Sequence, residues 1–200
     1  KNCKIMRDNK IIIYVGTRGT GKTDDLKNIV NSSNLPKKLI VDTFDSMVWH
    51  NLETHHHPEW KTKQVPIIEA SKFKLWNSGT SRIFSSDTDS MMSAIQKDVQ
   101  NCLLVFEDAT KYVRANLQDD VRKFVLDSKQ KNLDIVFVFH SLASIPRELA
   151  RISDLLVIKR TNEFLTTTLK QKFPVAEFET AFDKVKNSDN RYTKVAIRLN

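Results

Sequence analysis

Gly16-Thr17-Arg18-Gly19-Thr20-Gly21-Lys22-Thr23 has the spacing G-x-x-x-x-G-K-T, the pattern of a loop that wraps a phosphate chain. The chain has four glycines, and three of them fall in these eight residues. Glycine is what lets a backbone close tightly around an anion. The flanks fit. The run 10–15, Lys-Ile-Ile-Ile-Tyr-Val, is β-branched and aromatic and predicts a buried strand. Beyond the loop, Leu26, Ile29 and Val30 recur at helical spacing. Strand, glycine loop and helix, in that order, are the context that gives the motif meaning. Loop amides and the helix N-terminus then form a nest for negative charge. Lys22 is placed to reach β- and γ-phosphates, and Thr23 to put its hydroxyl on Mg²⁺. The candidate nucleotide-binding residues are Gly16, Thr17, Arg18, Gly19, Thr20, Gly21, Lys22, Thr23 and Asp24.

Two later stretches bear on what the nucleotide is used for. In Asn101-Cys102-Leu103-Leu104-Val105-Phe106-Glu107-Asp108, five apolar residues run into two carboxylates. A continuous apolar run predicts a central strand of a parallel sheet, and its C-terminal end is where such sheets bind ligands. One carboxylate can hold Mg²⁺, directly or through water, and the other can polarise an attacking water. The run 133–139 is equally apolar and ends in His140-Ser141, a polar pair at the same edge. Either side chain could contact a γ-phosphate or the attacking water. His140 could equally serve only to bond nearby backbone.

The remaining chain predicts strands at 39–41, 82–84, 154–158 and 192–199. Helices are predicted at 45–52, from Ser86 or Asp87 to about 99, at 117–129, 147–151, from Thr161 or Asn162 to 173, and at 175–186. Residues 53–81 form a less legible stretch and a candidate surface insertion. Within it, His55-His56-His57 reads as a polar loop, because adjacent histidines cannot easily converge on one ion and no Cys/His pair follows at ligand spacing. Trp60, Phe73 and Trp76 beside Lys61, Lys63, Lys72 and Lys74 suggest base stacking on a basic surface or, more simply, aromatic packing of the insertion onto the core.

Two hundred residues, 28% charged and 40% hydrophobic, suit one α/β domain with its own core. No apolar run approaches the length of a membrane span, and no signal-peptide pattern opens the chain. Two cysteines, Cys3 and Cys102, suggest a reducing setting without a disulfide. A net charge of +8 and a pI near 9.5 favour a polyanionic partner, nucleic acid first.

The P-loop, the strand ending in acids and the later strand ending in a polar residue together resemble the RecA-like, additional-strand class of P-loop ATPases. Within it, Phe106-Glu107-Asp108-Ala109, the block 131–141, Ile145-Pro146-Arg147 and Asp154-Leu155-Leu156 are similar to the FtsK/HerA group. The likeness is to its phage members: genome-packaging ATPases and Zot-like assembly ATPases. The resemblance spans most of 10–160. Most relatives read Asp-Glu where this chain has Glu107-Asp108, and many place Gln where it has His140. By position the resemblance implies Glu107 for Mg²⁺ and Asp108 for water, or the two roles exchanged.

The resemblance further implies a mostly parallel sheet flanked by helices, ATP and Mg²⁺ as cofactors, and a homo-oligomeric ring, usually a hexamer, acting on double- or single-stranded DNA. It implies an arginine supplied by a neighbour, with Arg114, Arg122, Arg147 and Arg151 as candidates, and basic pore loops around Lys111 and Arg114. A virion portal or membrane-vertex protein would be a further partner, and the site of action the host cytoplasm or the virion. The resulting expectation is an ATPase that moves DNA, most simply in genome packaging. The alternatives are a Zot-like extrusion motor, a nucleotide-dependent switch without steady turnover, and a small-molecule kinase. Against the kinase stands the acidic pair on a separate strand.

Overall fold

The computed structural model describes residues 9–42, 44–113 and 119–200. Its strands are β1 (Ile11–Val15), β2 (Lys37–Val41), β3 (Gly79–Ile83), β4 (Cys102–Phe106), β5 (Leu133–Phe139), β6 (Leu155–Lys159) and β7 (Lys194–Arg198). The helices are α1 (Lys22–Ser32), α2 (Thr88–Asp98), α3 (Asp119–Leu126), α4 (Arg147–Ile152), α5 (Thr167–Lys172) and α6 (Glu177–Lys186). The strands form one seven-stranded sheet in the order β3-β2-β4-β5-β1-β6-β7. All neighbours run parallel except β7, which returns antiparallel to β6.

Strand periodicity sorts the central side chains onto two faces. Ile13, Val15, Leu104, Phe106, Ile135, Phe137 and Phe139 enter the larger core, with Ile95 of α2 and Phe178 of α6. Tyr14, Leu103, Val105, Val136 and Val138 enter the other, with Leu26 and Val30 of α1 and Trp49. Burial on both faces is why these strands read as unbroken apolar runs rather than alternating ones.

Register carries the site. Val15 lies opposite Phe139, and Phe106 opposite both Phe137 and Val41. The chain leaves the sheet at Gly16, Glu107 and His140 from the C-terminal ends of three adjacent strands.

Three expectations need correction. Residues 45–52 do not form a helix with Met47, Val48 and Leu52 inward. Only a 3₁₀ turn at Met47–Trp49 forms, and Trp49 is buried with Leu52 while Met47 is 82% exposed. The buried carboxylate of Asp42 accepts from the amides of Phe44 and Ser46, which fixes a tight turn, and Asp45 at φ 49° cannot enter a helix. The predicted helix from 161 or 162 shrinks to α5, because Glu163 and Thr161 are committed to loop contacts and Thr166 caps Leu169. β3 begins earlier than 82, at Gly79.

Within 53–81, short 3₁₀ turns at Pro58–Thr62 and Ala70–Lys72 replace regular elements. Val65, Ile68 and Phe73 are buried against the sheet and half-buried Trp76 packs on the same core, so the aromatic-packing reading describes both Phe73 and Trp76. His57 stacks on Trp60 with centroids 4.0 Å apart. No described helix is long and apolar enough to cross a membrane.

Candidate nucleotide site

The loop from Gly16 to Thr23 is pinned at its start. Gly16 N–H donates to Phe139 O at 3.3 Å, and Thr17 donates to Arg160 O through its amide at 3.0 Å and its hydroxyl at 3.1 Å. A Cβ on Gly16 would stand 2.8 Å from Lys159 Cβ, closer than packed atoms approach. Gly21 precedes α1 at φ 73°, in the left-handed region that a side chain disfavours. The two glycines therefore serve different needs, space at one and backbone angle at the other.

Lys22 is 8% exposed, and its ammonium donates to Gly16 O at 2.6 Å and Thr17 O at 2.9 Å. Burial, with Lys159 nearby, lowers its pKa to about 8. Its Nζ also lies 3.4 Å from His140 Nδ1. Burial and the same ammonium hold the imidazole below its ordinary pKa. A neutral His140 that accepts at Nδ1 carries its proton on Nε2.

From β4, Glu107 and Asp108 line the same cleft, which has a volume of about 360 Å³. Burial and the carboxylates of Asp42 and Asp108 push Glu107 up to about 7, against the opposing pull of Lys22. Asp108 adopts φ 52°, ψ 64°, an angle pair uncommon outside glycine and asparagine or aspartate, and starts the 3₁₀ turn Ala109–Lys111. Its carboxylate also accepts from Thr110 Oγ1.

Lys22, Thr23, Asp24, Arg18, Glu107, Asp108 and His140 are thus brought to one cleft. Ser141 is not. Its hydroxyl donates to Glu163 Oε1 at 2.8 Å, and Glu163 also accepts from the amides of Leu142 and Ala143. Ser141 braces the loop after β5 instead of facing the cleft. Of the arginine candidates, Arg122 pairs with Glu148 at 2.7 Å, Arg147 and Arg151 are exposed, and none of the three lines the cleft. Arg114 lies outside the described residues.

Three contributions escaped the sequence reading. Arg191, just before β7, donates from Nε and Nη2 to Gly19 O at 2.9 and 2.6 Å. Tyr192 packs on Gly21, where a Cβ would meet its ring at 3.1 Å. Beneath the loop, Asp25 accepts from Lys159 at 2.5 Å, Lys194 at 2.7 Å and the Tyr14 hydroxyl at 3.2 Å. Burial raises the Asp25 pKa, but the hydrogen bonds from both lysines outweigh it and hold the group below its ordinary value. No motif spacing marks these residues. A lone basic–aromatic pair after a turn and a lysine ending an apolar strand were the only local cues.

With β5 inserted between the loop-bearing β1 and the acid-bearing β4, the architecture is the RecA-like P-loop NTPase fold in its additional-strand form. The chain is similar in structure to the genome packaging NTPase B204 from Sulfolobus turreted icosahedral virus 2 in complex with AMP. The TM-score is 0.71 at 12% identity, over 98% of this chain and 95% of that one. B204 described as the DNA-packaging ATPase from Sulfolobus Turreted Icosahedral Virus aligns with a TM-score of 0.63 at 10% identity, over 96% and 93%. The N-terminal domain of zonular occludens toxin from Neisseria meningitidis aligns at 0.50 and 15% identity, over 78% and 79%. No protein-family model matches the chain, and no curated protein matches it.

Proposed function

We propose that this chain hydrolyses ATP and couples hydrolysis to DNA movement, as a viral genome-packaging motor. The convergence of Glu107, Asp108 and His140 on Lys22 carries the reading, because a bare phosphate cradle needs no acidic strand beside it. The residues present fit both cofactors. The glycine cradle leaves no room for a Cβ at Gly16, and a cation stands at its centre. Among the described residues no group of three or more acidic, histidine or cysteine side chains could hold a metal by itself. That suits Mg²⁺, which is held by one or two protein oxygens together with phosphate and water.

In this reading the backbone from Gly16 to Asp24 holds the triphosphate, and Lys22 moves from its own loop carbonyls to β- and γ-oxygens. Thr23 and Glu107 supply the hard oxygens for Mg²⁺, which neutralises phosphate charge when bound. Asp108, or Glu107 with the roles exchanged, orients and deprotonates the attacking water, and neutral His140 stands beside the γ-position as a hydrogen-bond partner. Arg18 and Arg191 line the cleft from within the chain. A trans arginine would come from a neighbour in a ring, and exposed Arg122, Arg147 and Arg151 are the described candidates. Double- or single-stranded DNA, a ring of copies, a portal or vertex protein, and a place in the host cytoplasm or on the virion belong to this same proposal.

The likeness to structures of B204 solved with AMP, ATP-gammaS and AMPPCP supports nucleotide binding here. It spans more of the chain than the likeness to the occludens toxin domain, which favours packaging over extrusion. The test is ATP turnover with and without double-stranded DNA, with mass in solution measured alongside. Stimulated turnover by a multimer is expected. Nucleotide binding without turnover would reduce the chain to a switch.

A further inference from the structure

A second cleft, about 280 Å³ in volume, opens at the other end of the sheet. It lies where β2 begins and where the chain enters β4 and β5, a strand length or ~16 Å from the C-terminal edge that holds Lys22. Four lysines line it: Lys37, Lys74, Lys97 and Lys131. Lys74 Nζ lies 3.8 Å from Asp98 Oδ1, and Lys131 donates to the carbonyl of Gln96. Lys97 lies near the C-terminus of α2, where a cation also suits the helix dipole.

Lys37 is different. It is 6% exposed, and its Nζ lies 5.6 Å from the ring centroid of half-buried Trp76, which lines the same cleft. Among the described residues no carboxylate pairs with it. A ring face offsets only part of the cost of burying a cation, so an anion is the missing complement. The cleft holds four ammonium groups against the single carboxylate of Asp98.

We infer that this cleft binds the sugar–phosphate backbone of single-stranded nucleic acid, with a base lying against Trp76. Lysines act on phosphate as point charges without reading sequence. An aromatic ring among them gives a sequence-tolerant stacking surface. The volume is of the size of one nucleotide, and a base can lie against Trp76 only from a strand that is not paired. The choice of nucleic acid among phosphate-bearing polymers rests on the motor reading above. The cleft lies apart from the nucleotide cleft, so strand and ATP occupy the chain together.

The test is fluorescence anisotropy of the full chain with a labelled oligothymidylate across a salt series. Each neutralised phosphate contributes a slope of about −0.7 in log K against log salt, so the two phosphates that flank one nucleotide give about −1.4. In Lys74→Gln/Lys97→Gln, with half the lysines gone, the slope falls to about −0.7 and affinity drops roughly fivefold near 0.1 M salt. Basal ATP turnover without DNA stays unchanged in that variant. Trp76→Phe abolishes the quenching of intrinsic fluorescence that the oligonucleotide produces in the wild type. Equal slopes in wild type and double variant, no oligonucleotide binding by the wild type, or quenching that survives Trp76→Phe overturns the inference. So does duplex DNA that binds as tightly, with the same lysine dependence. Absent wild-type turnover, by contrast, overturns the motor reading and leaves the binding measurement to decide the cleft.

Discussion

Replacing Glu107 by Gln should make the protein more stable while it stops the proposed chemistry. Glu107 follows a fully buried strand and faces Asp42 and Asp108, and its pKa is raised from 4.5 to about 7. The unfolded chain returns it to the ordinary value. Between pH 4.5 and about 7 the folded state therefore holds a proton that the unfolded state has lost. Stability must fall as pH rises through that window, because the folded form binds more protons. Above it the full penalty applies. At about 1.4 kcal/mol per pH unit, the difference amounts to about 3 kcal/mol. Relaxation of Asp42 and Asp108 makes this a ceiling.

The assay is urea unfolding of both proteins in chelator across pH 5 to roughly 8. Only the difference between the two profiles is read, so carboxylates common to both cancel. Glu107→Gln should match the wild type near the acid end and exceed it by about 3 kcal/mol at the alkaline end. In the presence of Mg²⁺ and ATP the order should reverse, because a cation beside the carboxylate favours its charged form. Parallel profiles in chelator would refute the reasoning, since they would mean that Glu107 titrates as it does in the unfolded chain.

Lys22→Ala should weaken ATP binding on the order of 100-fold, read by calorimetry, because a charge-assisted contact to phosphate is lost. Arg191→Ala should weaken ATP binding about fivefold to tenfold with little change in melting, since the exposed guanidinium acts by holding the Gly19 carbonyl. Arg191→Lys should rescue it poorly, because an ammonium lacks the rigid planar fork whose two N–H groups converge on the Gly19 carbonyl. Asp25→Ala should cost about 3 kcal/mol in urea unfolding near neutral pH, because it leaves Lys159 buried without its partner. The pKa of Asp25 is depressed, so its contribution is present above its ordinary value of 3.8 and lost as pH falls below that.

The central strands and the cleft's main residues were legible because each was written locally. Gly16 to Thr23 is a contiguous motif, and Glu107 and His140 each end an apolar run, so strand geometry alone carries them to one edge. Ser141 shows where that logic stops. Adjacent residues after a strand point different ways, and only the later position of Glu163 decides which one faces the cleft. Residues 45–52 show another limit. Their apolar spacing suits a helix, yet the side chain of Asp42 ties up the amides that a helix would need, which is a tertiary choice invisible to periodicity. Phe73 and Trp76 were ambiguous in sequence because packing and stacking use the same residue types. The fold packs both on the core, Phe73 fully buried and Trp76 partly, and both line the lysine-lined cleft.

Alternation alone marked β7 in the sequence, and its role in the site follows from what it contacts. Lys194, Ala196 and Arg198 are exposed, and only Ile197 is fully inward, so this edge strand adds little apolar burial. Its polar contacts point elsewhere. Lys194 reaches Asp25 on α1, and the residues immediately before β7 hold the Gly19 carbonyl and cover Gly21. Lys159 on the neighbouring β6 completes the set from below. The phosphate loop is therefore held from three directions: by β5 and the segment after β6 at its start, by Asp25 and its lysines under the first turn of α1, and by Arg191 and Tyr192 at its crest. A glycine-rich loop has more conformations to lose than any other segment of similar length. Contacts that order it before a phosphate arrives reduce the entropy that binding would otherwise cost, so the segment leading into β7 should raise nucleotide affinity by preorganising the loop.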